Sequence, residues 1–172
     1  MKPVFHKWLV PGLLSAATLA GDFCAKSWAN ANLHYGDSSI FIPGLLRLTL
    51  TRNTGGAFGI GRGHGIMMAL LASSIVLGII IWMWKREKSS APPTQLERCG
   101  VGLIIGGALG NLFDRITRGE VTDFLEFSFI DFPVFNVADA LIDVGAGLVI
   151  IGALAFSKAQ NNAAQAENKA SD

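Results

Sequence analysis

The chain has 172 residues, of which 51% are hydrophobic and only 16% are charged. A soluble domain carries about 25% charged residues, so this composition indicates an integral membrane protein. The formal net charge is +1 and no basic stripe is present, which argues against a nucleic-acid partner. We expect one membrane domain over residues 1–172, acting as a monomer.

Four apolar segments are each long enough to cross a bilayer, because a helix needs about 20 apolar residues to do so. In chain order, the predicted spans are residues 8–29, 65–84, 100–117 and 136–157. The connecting loops are 30–64, 85–99 and 118–135, and a polar tail occupies 158–172. The sequence therefore predicts an all-α membrane protein with four transmembrane helices.

The first span follows two lysines and passes small residues at 20–21, a layout that a cleaved signal peptide shares. Its apolar character continues beyond Asp22, from Phe23 to Trp28, so we expect the segment to be retained. Cys24 would then lie near one membrane surface and Cys99 near the other, beyond disulfide reach. We expect two free thiols.

The loop after the first span is apolar enough to fold at the membrane interface. Residues 39–51 mix β-forming residues with a Pro43-Gly44 turn, which predicts a hairpin and hence a small β-rich cap. The glycine-rich segment from Phe58 to Gly65 is expected to act as a lid and the 31–51 loop as a cap, which together exclude bulk water.

Positive charges predict the direction of the spans, since lysine and arginine concentrate in cytoplasmic loops. Both termini are cytoplasmic in the arrangement that places eight basic residues on one side: Lys2, Lys7, Lys85, Arg86, Lys88, Arg98, Lys158 and Lys169. The 85–99 loop is then cytoplasmic, and the 30–64 and 118–135 loops with the β-rich cap are extracytoplasmic.

With this topology the polar residues of the spans gather at the extracytoplasmic end. They are Asp22, Lys26, Asn111, Asp114, Arg115, Asn136, Asp139 and Asp143. An ionisable residue inside the membrane costs about 2.5–3.5 kcal/mol on insertion scales and marks a candidate functional site. On the third span Gly102, Gly106 and Gly110 predict close helix packing, which would bring Asn111 and Arg115 near a neighbouring helix.

Two neighbouring carboxylates can share a proton, so that one activates water while the other donates to a carbonyl oxygen. The sequence offers two pairings for Asp139: Asp143, one helical turn away, and Asp123, which a short loop could fold back. Asp114 and Arg115 could form a structural ion pair. Spacing alone does not choose between the pairings.

The sequence gives little support to a metal site, a serine nucleophile or a transport function. The three histidines are far apart and no zinc spacing is present, so we expect no metal and no cofactor. No serine lies in a nucleophile motif. A small transporter that relays protons or ions through the acidic layer is the main alternative, but it would need polar residues through the inner half of the spans as well.

Four blocks of the sequence resemble the signature of one family, the bacterial lipoprotein signal peptidases, or signal peptidase II. They are Asn53-Thr54-Gly55-Gly56-Ala57-Phe58, Gly106-Gly107-Ala108-Leu109-Gly110-Asn111-Leu112-Phe113-Asp114-Arg115, Val121-Thr122-Asp123-Phe124 and Phe135-Asn136-Val137-Ala138-Asp139. The resemblance covers essentially the whole chain. It implies an aspartic endopeptidase of the bacterial inner membrane, which removes the signal peptide of prolipoproteins by cutting before a diacylglyceryl-modified cysteine. The partners it implies are these prolipoproteins and membrane lipids.

The resemblance also implies the roles of particular residues. Asp123 and Asp139 match the catalytic pair, which favours Asp123 over Asp143 as the partner of Asp139. The surrounding polar residues of the family match Asp22, Asn53, Asn111, Arg115 and Asn136, with Lys26 and Asp114 beside them. Two positions depart from the family pattern: Phe23 stands where a glutamine is usual, and Asp143 where a small or apolar residue is more frequent.

Overall fold

The computed structural model describes residues 4–55, 61 and 63–171, with the side chains at 4–6, 158–159 and 161–171 outside the description. Much of the predicted lid, including Phe58, therefore lies outside the described residues. The same holds for Gly56 and Ala57 of the first signature block.

Four helices form the body of the molecule: α1 (Val4–Asn32), α2 (Gly65–Glu87), α3 (Gln95–Arg118) and α4 (Val137–Ser171). Each contains a stretch long and apolar enough to cross a membrane. Large apolar side chains such as Leu13, Ile66 and Leu154 are more than 60% exposed, as expected for surfaces that face lipid. Within the described residues the prediction of four helices apolar enough to span a membrane is confirmed, and the chain is a multi-pass membrane protein.

All four helices extend beyond their predicted spans, and two of the extensions have clear local reasons. α3 begins at Gln95 because Thr94 and Glu97 form a capping box, in which each side chain accepts a hydrogen bond from the other's backbone N–H. α4 continues through the polar tail to Ser171, since this segment is rich in alanine, glutamine and lysine, which favour helix.

Helix α3 packs against the other three helices and uses glycines to approach α1 and α4 closely. A Cβ atom on Gly106 would lie 2.5 Å from the carbonyl oxygen of Ser15 in α1. One on Gly107 would lie 2.7 Å from the carbonyl oxygen of Ala138 in α4. These approaches confirm the predicted close packing and bring the polar end of α3 between α1 and α4.

The glycine contacts predict a clear difference between two alanine substitutions. Gly107→Ala should lower the thermal unfolding midpoint, because overpacking at a helix contact costs about 1–3 kcal/mol. Gly147→Ala is the matched control: its Cβ would meet nothing within 4 Å. Alanine there should leave the midpoint unchanged or raise it. Equal midpoints for the two variants in the same detergent would contradict the packing described.

A three-stranded antiparallel sheet covers one end of the bundle, with strands β1 (Ser38–Ile42), β2 (Leu46–Asn53) and β3 (Val121–Phe127) in that order. β1 and β2 form the predicted hairpin, and Gly44 at its turn has a φ of 73°. β3 was predicted only as part of a loop. It places Asp123 opposite Thr51 and brings Val121 opposite Asn53.

The sheet is anchored by a small apolar cluster of Ala29, Leu50 and Phe124, drawn from α1, β2 and β3. This anchor fixes β3 beside the last turns of α1. The start of α4 is tied to β3 as well, through backbone hydrogen bonds between Leu125 and Phe135. Both cysteines are free, as predicted.

Candidate active site

The nine site residues predicted from the sequence meet in one network at the sheet-covered end of the bundle. Asp22 and Lys26 come from α1, Asn53 from β2, and Asn111, Asp114 and Arg115 from α3; Asp123 comes from β3, Asn136 precedes α4, and Asp139 lies in its first turn. Hydrogen bonds and ion pairs join them into a continuous set. Asp143 is exposed and takes no part in it.

Asp139 is held in place by the start of its own helix. The side chain of Asn136 accepts a hydrogen bond from the Asp139 N–H (2.9 Å), and Asp139 Oδ2 accepts one from the Asn136 N–H (3.2 Å). This is the reciprocal arrangement of a capping box. The positive end of the helix dipole also favours a carboxylate at this position. The same contacts that begin α4 therefore fix the orientation of Asp139.

Asn136 also links Asp139 to the second carboxylate. Its Nδ2 donates to Asp123 Oδ1 at 2.7 Å and to Asn111 Oδ1 at 3.1 Å. Asn111 Nδ2 in turn donates to Asp139 Oδ1 at 2.7 Å. Two uncharged amides thus bridge the two aspartates, so Asp123, and not Asp143, is the carboxylate that the structure joins to Asp139.

Lys26 determines which way the Asn111 amide faces. Its ammonium group, buried in the bundle, donates to Asn111 Oδ1 at 2.8 Å. Because lysine has no acceptor, the carbonyl end of Asn111 must face it and the NH₂ end is left for Asp139. Lys26 therefore acts on Asp139 through Asn111.

Two further carboxylates compensate the charge of Lys26. Asp22 Oδ2 lies 2.7 Å and Asp114 Oδ2 3.4 Å from its Nζ. Asp22 Oδ1 also accepts a hydrogen bond from the Ala138 N–H at the start of α4. Both carboxylates are buried, and Asp22 ties α1 directly to the helix that carries Asp139.

Asp114 does not pair with Arg115, as had been considered from their adjacency. Adjacent residues of a helix point in different directions, so Asp114 faces Lys26 and Arg118 instead. Its Oδ2 accepts a hydrogen bond from the Thr122 N–H at 3.2 Å, which holds β3 next to the catalytic candidate Asp123.

Arg115 faces the loop after β2. Its Nη2 donates to the carbonyl oxygen of Gly55 at 3.0 Å, and its positive charge is near enough to act on both Asp123 and Asp139. Asn53 Oδ1 accepts from the Gly55 N–H at 2.9 Å, while the Asn53 side chain also hydrogen-bonds Asp123. The first signature block is thereby joined to the aspartates.

Burial and the nearby Asp139 carboxylate raise the pKa of Asp123 to about 7. Hydrogen bonds from Asn136 and Asn53 and the charge of Lys26 oppose this rise without cancelling it. Asp123 is only 2% exposed. Near neutral pH Asp123 is therefore divided between its protonated and ionised forms.

Sequence reasoning missed one supporting residue, Thr122. Its hydroxyl accepts hydrogen bonds from Asn30 Nδ2 (3.2 Å) and Arg118 Nη1 (3.1 Å). The clue was its place next to Asp123 in a run of β-forming residues. Phe23, by contrast, lies outside the network: it is 52% exposed and contacts the edge of Phe113, with ring centroids 6.0 Å apart.

The fold and the site together define a multi-pass membrane protein. At one end of its helix bundle, two carboxylates are joined through the side-chain amides of two asparagines. A family model described as signal peptidase (SPase) II matches residues 14–155. The chain belongs to the signal peptidase II family and is therefore a membrane peptidase.

Individual relatives agree with this assignment. The lipoprotein signal peptidase of Gloeobacter violaceus is 37% identical over 142 residues, which cover 83% of this chain and 80% of that one. The lipoprotein signal peptidase of Lactococcus lactis is 36% identical over 149 residues, covering 86% and 95%. A solved bacterial membrane enzyme is similar with a TM-score of 0.75 and 30% identity, over 84% of this chain and 87% of that chain.

Proposed function

We propose that this protein is an aspartic endopeptidase that removes the signal peptide from diacylglyceryl-modified prolipoproteins, cutting before the lipidated cysteine. The observation that carries the proposal is the pair of carboxylates, Asp123 and Asp139, bridged by Asn136 and Asn111. Membership of the signal peptidase II family supports the choice of substrate.

In the proposed reaction a water molecule lies between the two carboxyl groups. Ionised Asp139 takes a proton from the water while protonated Asp123 donates its proton toward the oxygen of the scissile carbonyl. The tetrahedral intermediate collapses when Asp139 passes the proton it took from the water to the amide nitrogen and the C–N bond breaks. The amine leaves, and Asp123 recovers its proton from a hydroxyl group of the intermediate as the new carboxyl group forms. The raised pKa of Asp123 supports its assignment as the acid at neutral pH.

The surrounding amides keep these roles distinct. Asn111 and Asn136 donate hydrogen bonds without adding charge, so they orient the carboxylates without stabilising either one as strongly as a cation would. Arg115 supplies a positive charge near the pair and holds the loop after β2. In this position it can balance negative charge that develops on the substrate.

The location of the pair suits a substrate held in a membrane. Asp139 lies in the first turn of a helix apolar enough to span the bilayer, and Asp123 lies in the sheet that covers the same end. We place this end and the sheet at the extracytoplasmic face of the bacterial inner membrane, with both termini cytoplasmic. The chain then acts as one domain and as a monomer, receiving the acyl chains of its substrate laterally from the lipid.

Cleavage in proteoliposomes tests the function. A diacylglyceryl-modified prolipoprotein and the same protein without the lipid are offered in parallel, and the products are separated by size. We expect cleavage of the lipidated form and little of the other. Intact substrate in both samples, with proton or ion flux across the vesicle membrane, would instead support the transporter alternative.

The pKa of Asp123 predicts a pH dependence. If protonated Asp123 is the acid, kcat/KM should fall as the pH rises through about 7, because the proton it must donate is lost. Because the two aspartates titrate together, the inflection belongs to the pair. A pH profile at constant ionic strength and detergent composition measures this fall in kcat/KM. A kcat/KM that stays constant well above pH 7 would contradict the assignment of Asp123 as the acid.

A further inference from the structure

Asp143 is an ionisable side chain inside a membrane span that the site network does not use. It follows Asp139 by one helical turn within the apolar stretch Val137–Ser157, and its side chain is exposed. No hydrogen bond or ion pair involves it among the residues that the structure describes. A carboxyl group in this position is costly in hydrocarbon unless it meets a polar partner.

The packing of α4 shows which side of the helix carries Asp143. Ala138, Gly145 and Gly152, spaced seven residues apart, are buried, and each lies against α3 or the residues that begin it. At about 100° per residue, Asp143 points about 160° away from Gly145 but only about 40° away from Asp139. Asp143 therefore lies on the flank of α4 that carries Asp139, turned away from α3.

The side chain of Asp143 is exposed on this flank, so a ligand can reach it. α4 packs against α3 and, less extensively, α1, whereas α2 packs against α3 and is not among the helices packed on α4. A peptide with its scissile bond at Asp139 can extend along the side of α4 where Asp143 lies. If the proposed function holds, the part of the substrate on the membrane side is the apolar signal peptide.

Geometry limits which substrate residue meets Asp143. One helical turn advances about 5.4 Å, which an extended peptide covers in about two residues and a helical one in about four. The partner is therefore within about four residues before the cleaved bond. A hydroxyl group suits it best, because a hydroxyl can donate to an ionised carboxylate and can also accept from a protonated one.

We propose that Asp143 is a specificity-determining residue that hydrogen-bonds a serine or threonine side chain in the last residues of the signal peptide. A substrate with a hydroxyl at that position satisfies the carboxyl group, whereas one with alanine leaves it without a polar partner. The enzyme then discriminates between two signal peptides that differ by one oxygen atom.

A panel of diacylglyceryl-modified peptides tests this inference, which rests on the proposed function. The parent has alanine at the four positions before the cleaved bond, and four others each have a single serine there. For the wild type we expect kcat/KM to be at least about fivefold higher for serine at one of these positions. Asp143→Leu should bring that ratio close to one, and Asp143→Asn should keep part of it because an amide still donates and accepts.

Val144→Leu is the matched control, since Val144 is exposed on the same helix but points away from Asp139. It should keep the wild-type ratio. Two results would overturn the role of Asp143 and leave the proposed function intact. In one, the wild type cleaves all the peptides with nearly equal kcat/KM; in the other, Asp143→Leu keeps the preference for serine. Cleavage of none of the peptides by the wild type would overturn the proposed function itself.

Discussion

Asparagine in place of either Asp123 or Asp139 is expected to reduce cleavage of a lipidated prolipoprotein by about 10³-fold or more, because general acid–base catalysis contributes on this order. Asparagine keeps the size of the side chain and one acceptor oxygen, so Asn136 and Asn111 retain partners. It removes the ability to exchange a proton with water. Initial rates with purified variants measure the effect, and thermal unfolding verifies that each variant is folded.

Asp131→Asn is the control for both variants, since Asp131 is an exposed carboxylate between β3 and α4. It should keep nearly the wild-type rate. A folded Asp123→Asn or Asp139→Asn protein that also keeps this rate would exclude that residue from the pair. Complete loss of activity in Asp143→Asn, with Asp123→Asn active, would favour the pairing of Asp139 with Asp143.

Lys26→Met is expected to lower both stability and activity. Methionine fills a similar volume but leaves Asp22 and Asp114 buried without their shared cation, and breaking a buried ion pair costs about 3–5 kcal/mol. It also frees Asn111 to rotate, so that its NH₂ group is no longer directed at Asp139. We expect a lower unfolding midpoint together with a lower kcat.

The two effects can be separated. Adding Asp22→Asn to Lys26→Met removes one of the uncompensated charges, so the double variant should recover part of the stability while kcat remains low. Lys85→Met is the control, since Lys85 is exposed at the far end of α2. If Lys26→Met matches Lys85→Met in midpoint and in kcat, then Lys26 neither stabilises the bundle nor orients Asn111.

The sequence predicts the helices well because lipid imposes one requirement on all of them, a long apolar stretch with internal hydrogen bonds. α2, which has no charge between Gly65 and Trp84, is the clearest example. The limits of α3 and α4 depended instead on local chemistry. Both the Thr94–Glu97 capping box and the helix-forming tail can be recognised in the sequence, and they predict where these two helices begin or end.

The pairing of the aspartates could not be derived from spacing. Asp143 is the nearer neighbour of Asp139 in sequence, but it is exposed and takes no part in the hydrogen-bond network. Asp123 reaches Asp139 because β3 pairs with β2 and Asn136 joins the strand to the helix. The pairing of β3 depends on a strand far away in the sequence, because Asp123 lies opposite Thr51, 72 residues earlier. Whether a short segment forms a strand depends on such packing context more than on its own residues.

The full set of contacts made by the Lys26 side chain could not be predicted from the sequence either. Its place four residues after Asp22 predicts an ion pair on one helix face, which the structure has at 2.7 Å. Its contact with Asn111 depends on how closely α1 approaches α3, and the glycines at 102 and 106 set that distance. The close packing of α1 on α3 therefore brings the Asp22–Lys26 ion pair into contact with Asn111 in the site.

The central claim is that Asp123 and Asp139 direct water to the peptide bond before a lipidated cysteine. Its most direct test is mass spectrometry of the products formed from a diacylglyceryl-modified prolipoprotein in water enriched in oxygen-18. Wild-type protein should release a signal peptide that carries the heavy oxygen in its new carboxyl group, and a second product that begins at the lipidated cysteine; Asp123→Asn and Asp139→Asn should release neither. Cleavage at another bond, or the same labelled products from both variants, would contradict the claim.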